Sequence, residues 1–262
     1  MVRGLRFMLR LLFIALLASL LPSLRGAVPV LLEQALGKVI ADYDRWAYTQ
    51  TKIEKNEKGK VLNRAVVRFD PSKPYPEQYT PLSIDGQTPS PGEQRKYRRQ
   101  GERRGDRIAK AEDQGKAPPQ QTLGELMDLE RASLVEETAE TATFEVPLKK
   151  EGNRRLPPEK FQVLARVNKA TAAFEAITAQ LRSPMRADVV VKVKSGSGRL
   201  EFAAVEPDFA PTVTAISGSG AASIVFVPIG RSYSIVRSDF QRVKPFSDRF
   251  KVKLGPLKSI DF

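Results

Sequence analysis

Apolar positions along this chain change period once, close to its start. In "PVLLEQALGKVIADYDRW", Leu32, Ala35, Leu36, Val39, Ile40 and Tyr43 recur at i, i+3, i+4, i+7. That spacing predicts one amphipathic helix over about 30–42, with Pro29 where a first turn tolerates proline. The polar face is not notably basic, which favours packing on a core over lying on a membrane surface. From Asp44 the period drops to two. "DRWAYTQTKIE", the turn-like "KNEKGK" and "VLNRAVVRFD" read as a long hairpin, followed by the turn "DPSKPYP" and a short strand ending at "SIDG".

The pattern then disappears. "GQTPSPGEQRKYRRQGERRGDRIAKAEDQGKAPPQQ" holds almost no apolar residue besides Tyr97 and Ile108. Ser90-Pro91-Gly92-Glu93 has the form of a capping box, so a helix can start there. With no apolar stripe it has little to hold it on a core. The expectation is a basic, mobile insertion at about 87–121. Its Arg95, Lys96, Arg98, Arg99, Arg103 and Arg104 are candidates for contact with an anionic surface.

Period-two patterning returns after "TLGELMDLE", a short helix expected to be capped by Thr122. "ATFEVPL", "FQVLARVN", "AAFEAITAQL", "ADVVVKVK" and "RLEFAAVE" follow at roughly ten-residue spacing. So do "PTVTAI", "SIVFVPI", "YSIVRSDF" and "RFKVKLG", the last with Phe250, Val252 and Leu254 alternating with basic residues. Strands at that spacing with turn signals between them predict an antiparallel meander. The fold class is mainly β.

"SGSG" occurs at Ser195–Gly198 and Ser217–Gly220, and the second copy comes within one residue of a G-x-G-x-x-G phosphate loop. Such a loop needs a helix directly after its glycines. "AASIVFVPIG" follows instead, a β-branched and aromatic run closed by Pro228. Both copies are therefore expected at hairpin tips, where glycine supplies positive φ.

The head of the chain narrows the compartment. Arg3, Arg6 and Arg10 precede an unbroken apolar run, Leu11–Leu21, closed by Pro22 and followed by small residues at Gly26 and Ala27. This is the form of a cleaved secretory signal peptide over 1–26, and the run is too short to span a bilayer. The remaining 27–262 is expected to be one β domain in the periplasm. Four of the 43 basic residues are signal arginines with no acid among them, so the net charge of +13 falls to +9 in that domain. A basic surface suits anionic lipid or an acidic envelope protein; nucleic acid is not expected for an exported chain.

The chain has no histidine and no cysteine. Histidine-based triads, histidine-bound zinc and disulfides are thereby excluded. No metal, cofactor or catalytic residue is assigned. Glu136 and Glu137 are strand neighbours on opposite faces. Asp42 and Asp44 straddle the helix-to-strand junction, where they are expected to help solvate it. Serine and lysine are abundant, but no spacing singles out a pair for hydrolysis. More suggestive are Trp46 and Tyr48 on one strand face and Val67 and Phe69 on the next. On a closed sandwich these are core; on an incompletely closed sheet with a helical lid they line a lipid-sized hollow.

The short helix, the strand "WAYTQT", the charged turn and the strand "VLNRAVVRF" resemble the start of the periplasmic lipoprotein carriers, the LolA-like superfamily. "YTQT" at Tyr48–Thr51 is similar to the F-T-Q-T type of sequence on their first strand. The resemblance implies a curved, unclosed antiparallel half-barrel with helices on its concave side. It also implies a non-enzymatic role, in which an acyl chain, lipid or lipoprotein is held between sheet and lid on its way between membranes. The stretch Glu93–Lys116 and "RFDPSKPYPEQYTPLSIDG" depart from the carrier pattern, and no counterpart of the carriers' lid-latching arginine is assigned. The alternative is an envelope module of structural or signalling type, with a filled interior and a protein partner.

Overall fold

The change of period marks where the first helix hands over to the sheet. The computed structural model describes residues 28–42, 44–115, 124, 126–150, 157–186, 191–224 and 227–249. The expected signal peptide, Thr122 and Leu123, and the alternating Phe250, Val252 and Leu254 lie outside them. Helix α1 is Val30–Ala41. It buries Leu32, Ala35 and Leu36, the i, i+3, i+4 face read from the sequence. Among the described residues no helix is long and apolar enough to cross a membrane.

The expected hairpin is present as β1 (Trp46–Asn56) and β2 (Val61–Phe69), followed by β3 (Tyr79–Ile84). Helix α2 spans Pro91–Asp113. Next come β4 (Ser133–Glu137), β5 (Thr141–Glu145), β6 (Phe161–Asn168), β7 (Ala173–Leu181) and β8 (Met185–Arg186). Three long strands finish the sheet: β9 (Val191–Ala203), β10 (Thr212–Ile224) and β11 (Val227–Arg242). Ten strands run in the order β3-β2-β1-β11-β10-β9-β7-β6-β5-β4, and β8 adds to β9. Every pairing is antiparallel. The end strands β3 and β4 do not pair with each other, so the sheet is not closed. Register shifts interrupt the β1–β11, β1–β2, β2–β3 and β9–β10 ladders, among others. Each extra residue bends its strand and increases local twist.

The main core lies where α1 crosses β6 and β7. Leu32 and Leu36 pack into a cluster with Val163, Ala165, Phe174 and Ile177. Met127, which bridges to Leu148, joins that cluster.

Three expectations need correction. The basic stretch after Pro89 is not a helix lacking a seat. The capping box forms: the Glu93 amide donates to Ser90 Oγ at 3.3 Å, and Ser90 N–H donates to Glu93 Oε2 at 2.7 Å. The helix packs on β3 and on the 3₁₀ turn Tyr75–Glu77, burying Gly101, Arg104, Gly105 and Ile108 along one stripe. Close backbone approach replaces the missing apolar stripe. A Cβ on Gly101 would lie 2.9 Å from the Tyr75 carbonyl carbon, and one on Gly105 would lie 2.7 Å from the Tyr75 ring.

Secondly, the two "SGSG" stretches are not hairpin tips. They lie inside β9 and β10 and pair with each other, Gly198 with Gly218 and Gly196 with Gly220. Their glycines share a sheet face with Leu200 and Ile216, while the serines take the other face, where Ser197 and Ser219 hydroxyls meet at 2.9 Å. The Tyr233 ring occupies the space that a Gly218 side chain would need. β10 ends at Ile224 and β11 begins at Val227, with Pro228 inside β11 opposite Ser223. The exclusion of a phosphate loop stands, because strand rather than helix follows Gly220.

Thirdly, Arg104 is buried at 7% exposure and offers nothing to an external surface. It donates to Gln78 Oε1 at 2.7 Å and pairs with Asp44.

Candidate functional site

Alternation on β1 turns Trp46, Tyr48 and Gln50 toward the side of the sheet that carries the helices. β2 sends Phe69 to the same side, directly opposite Tyr48. Leu200 and Phe202 arrive from β9. The register shift between Val213 and Ala215 turns Val213 and Ile216 of β10 onto one face. The last turn of α1 contributes Val39 and the middle of α2 contributes Gln100. Together these residues line a partly open cavity of about 400 Å³. Among the residues named in advance, Trp46, Tyr48 and Phe69 line it. Val67 does not; it is 1% exposed and belongs to the packed part of the same face.

The aromatic wall is continuous. Tyr48 stacks obliquely on Phe69 at 5.2 Å, and Phe69 on Tyr79 at 5.0 Å. Trp46 meets Phe209 and Phe240 edge-on at 5.5 and 6.2 Å. Phe240 reaches this face because Asp239 and Phe240 together oppose Tyr48 alone in the β1–β11 ladder. Asp239 takes a left-handed φ of 52° at that bulge.

Charges at the cavity are arranged in pairs. Asp42, just past the end of α1, accepts from Trp46 Nε1 at 2.5 Å and lies 2.5 Å from Arg242 Nη1. Asp44, with a left-handed φ of 58°, pairs with Arg104. Rather than solvating the junction, as the sequence suggested, both aspartates tie it down. Arg242 also lies 4.9 Å from the Trp46 ring centre, and Arg104 lies 5.6 Å from that of Phe69. Arg237 lines the cavity over the Tyr48 ring, at 4.3 Å. Tyr79, half-buried in the same wall, has its hydroxyl pKa raised, chiefly by desolvation. Among the described residues no cluster of three potential metal ligands exists.

Arg95, Lys96, Arg98, Arg99 and Arg103 are all exposed on α2. Arg98 is 3.6 Å from Glu102 one turn on. A second, more open hollow of about 530 Å³ is lined mostly from the opposite face of β7, β9 and β10. There Thr178, Ser197, Ser217 and Ser219 make its lining hydroxyl-rich.

Sequence reading missed Arg237, Arg242 and Gln100. A usable signal existed for Arg237: "YSIVR" continues the period-two face of Tyr233 and Ile235 with an arginine. Arg242 had none, because the bulge at Asp239 resets the alternation.

Fold and cavity define a class: an open antiparallel half-barrel whose helix-bearing side encloses an aromatic hollow. No protein-family model matches the chain, and no curated protein matches it in sequence. Among solved structures, the chain is similar to a LolA superfamily protein from Nitrosomonas europaea. The identity is 11% over 87% of this chain and 98% of that one, with a TM-score of 0.39.

Proposed function

We propose that this protein is a non-enzymatic carrier of the bacterial envelope that holds an acyl chain, from a lipid or a lipidated protein, in the cavity behind Trp46, Tyr48 and Phe69. One observation carries the reading: a partly open cavity of about 400 Å³ is lined mostly by aromatic and aliphatic side chains, with Asp42, Asp44, Gln50, Gln100, Thr212 and Arg237 as its polar part, in the size range of small-molecule sites. Both cavity aspartates are already committed to arginines, which leaves them poor candidates for acid–base work. Affinity then comes from apolar burial, at about 0.8 kcal/mol per sequestered CH₂. Arg95, Lys96, Arg98, Arg99 and Arg103, exposed on α2, orient the molecule at anionic headgroups, and export by the signal peptide delivers it to the periplasm. The implied chemistry is that of the superfamily which "WAYTQT" resembles.

The test is mass spectrometry of extracted ligands from protein purified without detergent, together with uptake of a fluorescent fatty acid. Co-purified lipid and saturable uptake are expected, with uptake reduced when Ile216→Trp fills the hollow. An empty wild-type preparation that takes up no fatty acid refutes the carrier reading.

A further inference from the structure

Every charged group facing the cavity has a counter-charge except one. Asp42 is met by Arg242 and Asp44 by Arg104. Among the described residues, no carboxylate lies within ion-pair distance of Arg237. Its Nε is shielded from solvent and has no hydrogen-bond partner. One Nη1 N–H donates to the Val213 carbonyl at 3.2 Å, and the Tyr48 ring lies beneath the guanidinium. A guanidinium has five N–H donors in a rigid fork, and here the buried Nε–H has no protein acceptor while one Nη1 N–H has one.

What surrounds Arg237 is neutral. Its cross-strand neighbour on β1 is Gln50, and Phe69 of β2 and Val213 and Ile216 of β10 complete that part of the wall. Arg237 is half-buried, and its shielded Nε–H without an acceptor costs free energy that a bound anion can recover. The ring face beneath it offsets part of that cost but cannot accept the in-plane N–H bonds. A carboxylate or phosphate monoester can, and in the bidentate geometry that arginine favours. Leu200, Phe202, Val213 and Ile216 leave apolar wall beside it for a tail.

We infer that the cavity selects single-chain amphiphiles with an anionic head, the carboxylate or phosphate pairing with Arg237 and the tail lying along Leu200, Phe202 and Ile216. The inference rests on the carrier reading and narrows it: a neutral amphiphile of the same length leaves Arg237 unpaired and binds less tightly.

Trp46 is the chain's one tryptophan and lines the cavity, so its emission reports occupancy directly. The full chain freed of its signal segment is titrated with dodecanoate, dodecyl phosphate and dodecanol below their micelle concentrations, and with inorganic phosphate. Dodecanoate, dodecyl phosphate or both are expected to bind about tenfold or more tighter than dodecanol, in line with a charged hydrogen bond made in a shielded site. Whichever head wins names the source, carboxylate or phosphate. In Arg237→Gln that preference is expected to vanish, the anions losing more affinity than dodecanol, and Arg237→Lys to restore part of it. Equal affinity for dodecanol and both anions in the wild type overturns the inference while leaving the carrier reading intact, and needs no variant to fold. So does a preference that survives in a folded Arg237→Gln, or inorganic phosphate binding as tightly as the amphiphiles. If no amphiphile binds, both readings fall.

Discussion

Gly101→Ala adds one methyl group to α2, and its consequence can be worked from the docking geometry. Judged by helix propensity alone, the change stabilises by about 1 kcal/mol. The new Cβ would lie 2.9 Å from the Tyr75 carbonyl carbon and 3.2 Å from Pro76 Cα, and would overlap the Tyr75 carbonyl oxygen. These are backbone atoms of a 3₁₀ turn and cannot rotate out of the way. If the helix stays, overpacking costs about 1–3 kcal/mol. If it lifts, the pair between Arg104 and Asp44 opens, and each partner is less than 15% exposed. Breaking a buried pair costs about 3–5 kcal/mol. After subtracting the propensity gain, the net loss expected is up to about 2 kcal/mol if the helix stays and about 2–4 kcal/mol if it lifts. Urea unfolding followed by Trp46 emission measures it. For a slope of about 1–3 kcal/mol per molar urea, a loss of about 2 kcal/mol lowers the midpoint by about 0.7–2 M at unchanged slope. Gly92→Ala is the control, because a Cβ there meets nothing closer than 3.9 Å; it should stay within about 0.5 kcal/mol of the parent. A Gly101→Ala protein as stable as the parent would refute the glycine-seated docking of α2.

Other outcomes follow from the same contacts. Arg104→Met should lose about 3–5 kcal/mol in the same urea assay by leaving Asp44 without its buried counter-charge, and Asp44→Asn introduced with it should recover part of the loss. Ser90→Ala removes the capping box and should cost about 0.5–2 kcal/mol, measured as a lower thermal midpoint. Tyr75, Tyr79 and Tyr97 all have hydroxyl pKa values raised above the usual 10.0, with desolvation the largest cause in each. Folded and unfolded chains therefore hold the same phenol protons below about pH 10. Above it the unfolded chain ionises first, so stability is full at lower pH and declines as pH rises through the folded values. Phenolate absorbance should show these groups titrating late, and a Tyr79→Phe variant should lose less stability at alkaline pH.

Where burial is one-sided, the sequence shows it. The α1 face at Leu32, Ala35 and Leu36 and the β1–β2 hairpin follow directly from period 3.6 and period two. Three of the four proposed cavity residues come from that alternation. The failures have a common physical origin in positions where backbone, rather than side chain, makes the contact. Gly101 and Gly105 seat a helix with few apolar residues, and "GERRG" with its four-residue spacing was the available sign. "SGSG" is locally indistinguishable from a turn, and its pairing partner is another "SGSG" some twenty residues away, a long-range match that local propensity does not register. Arg242 was hidden by a bulge, which shifts every later side chain to the other face.

The strand order has a consequence for how the hollow comes into being. β11, the last strand among the described residues, sits between β1 and β10 and pairs Trp46 with Arg242 from far along the chain. Until it docks, the chain can offer only two unjoined meanders, β1–β3 and β4–β10, each with a raw edge where the other belongs. Closing so wide a loop is slow, so the halves of the aromatic wall meet late, and a chain stopped short of Val227 has no complete chamber at all. Maturation of the container and completion of the fold are one event.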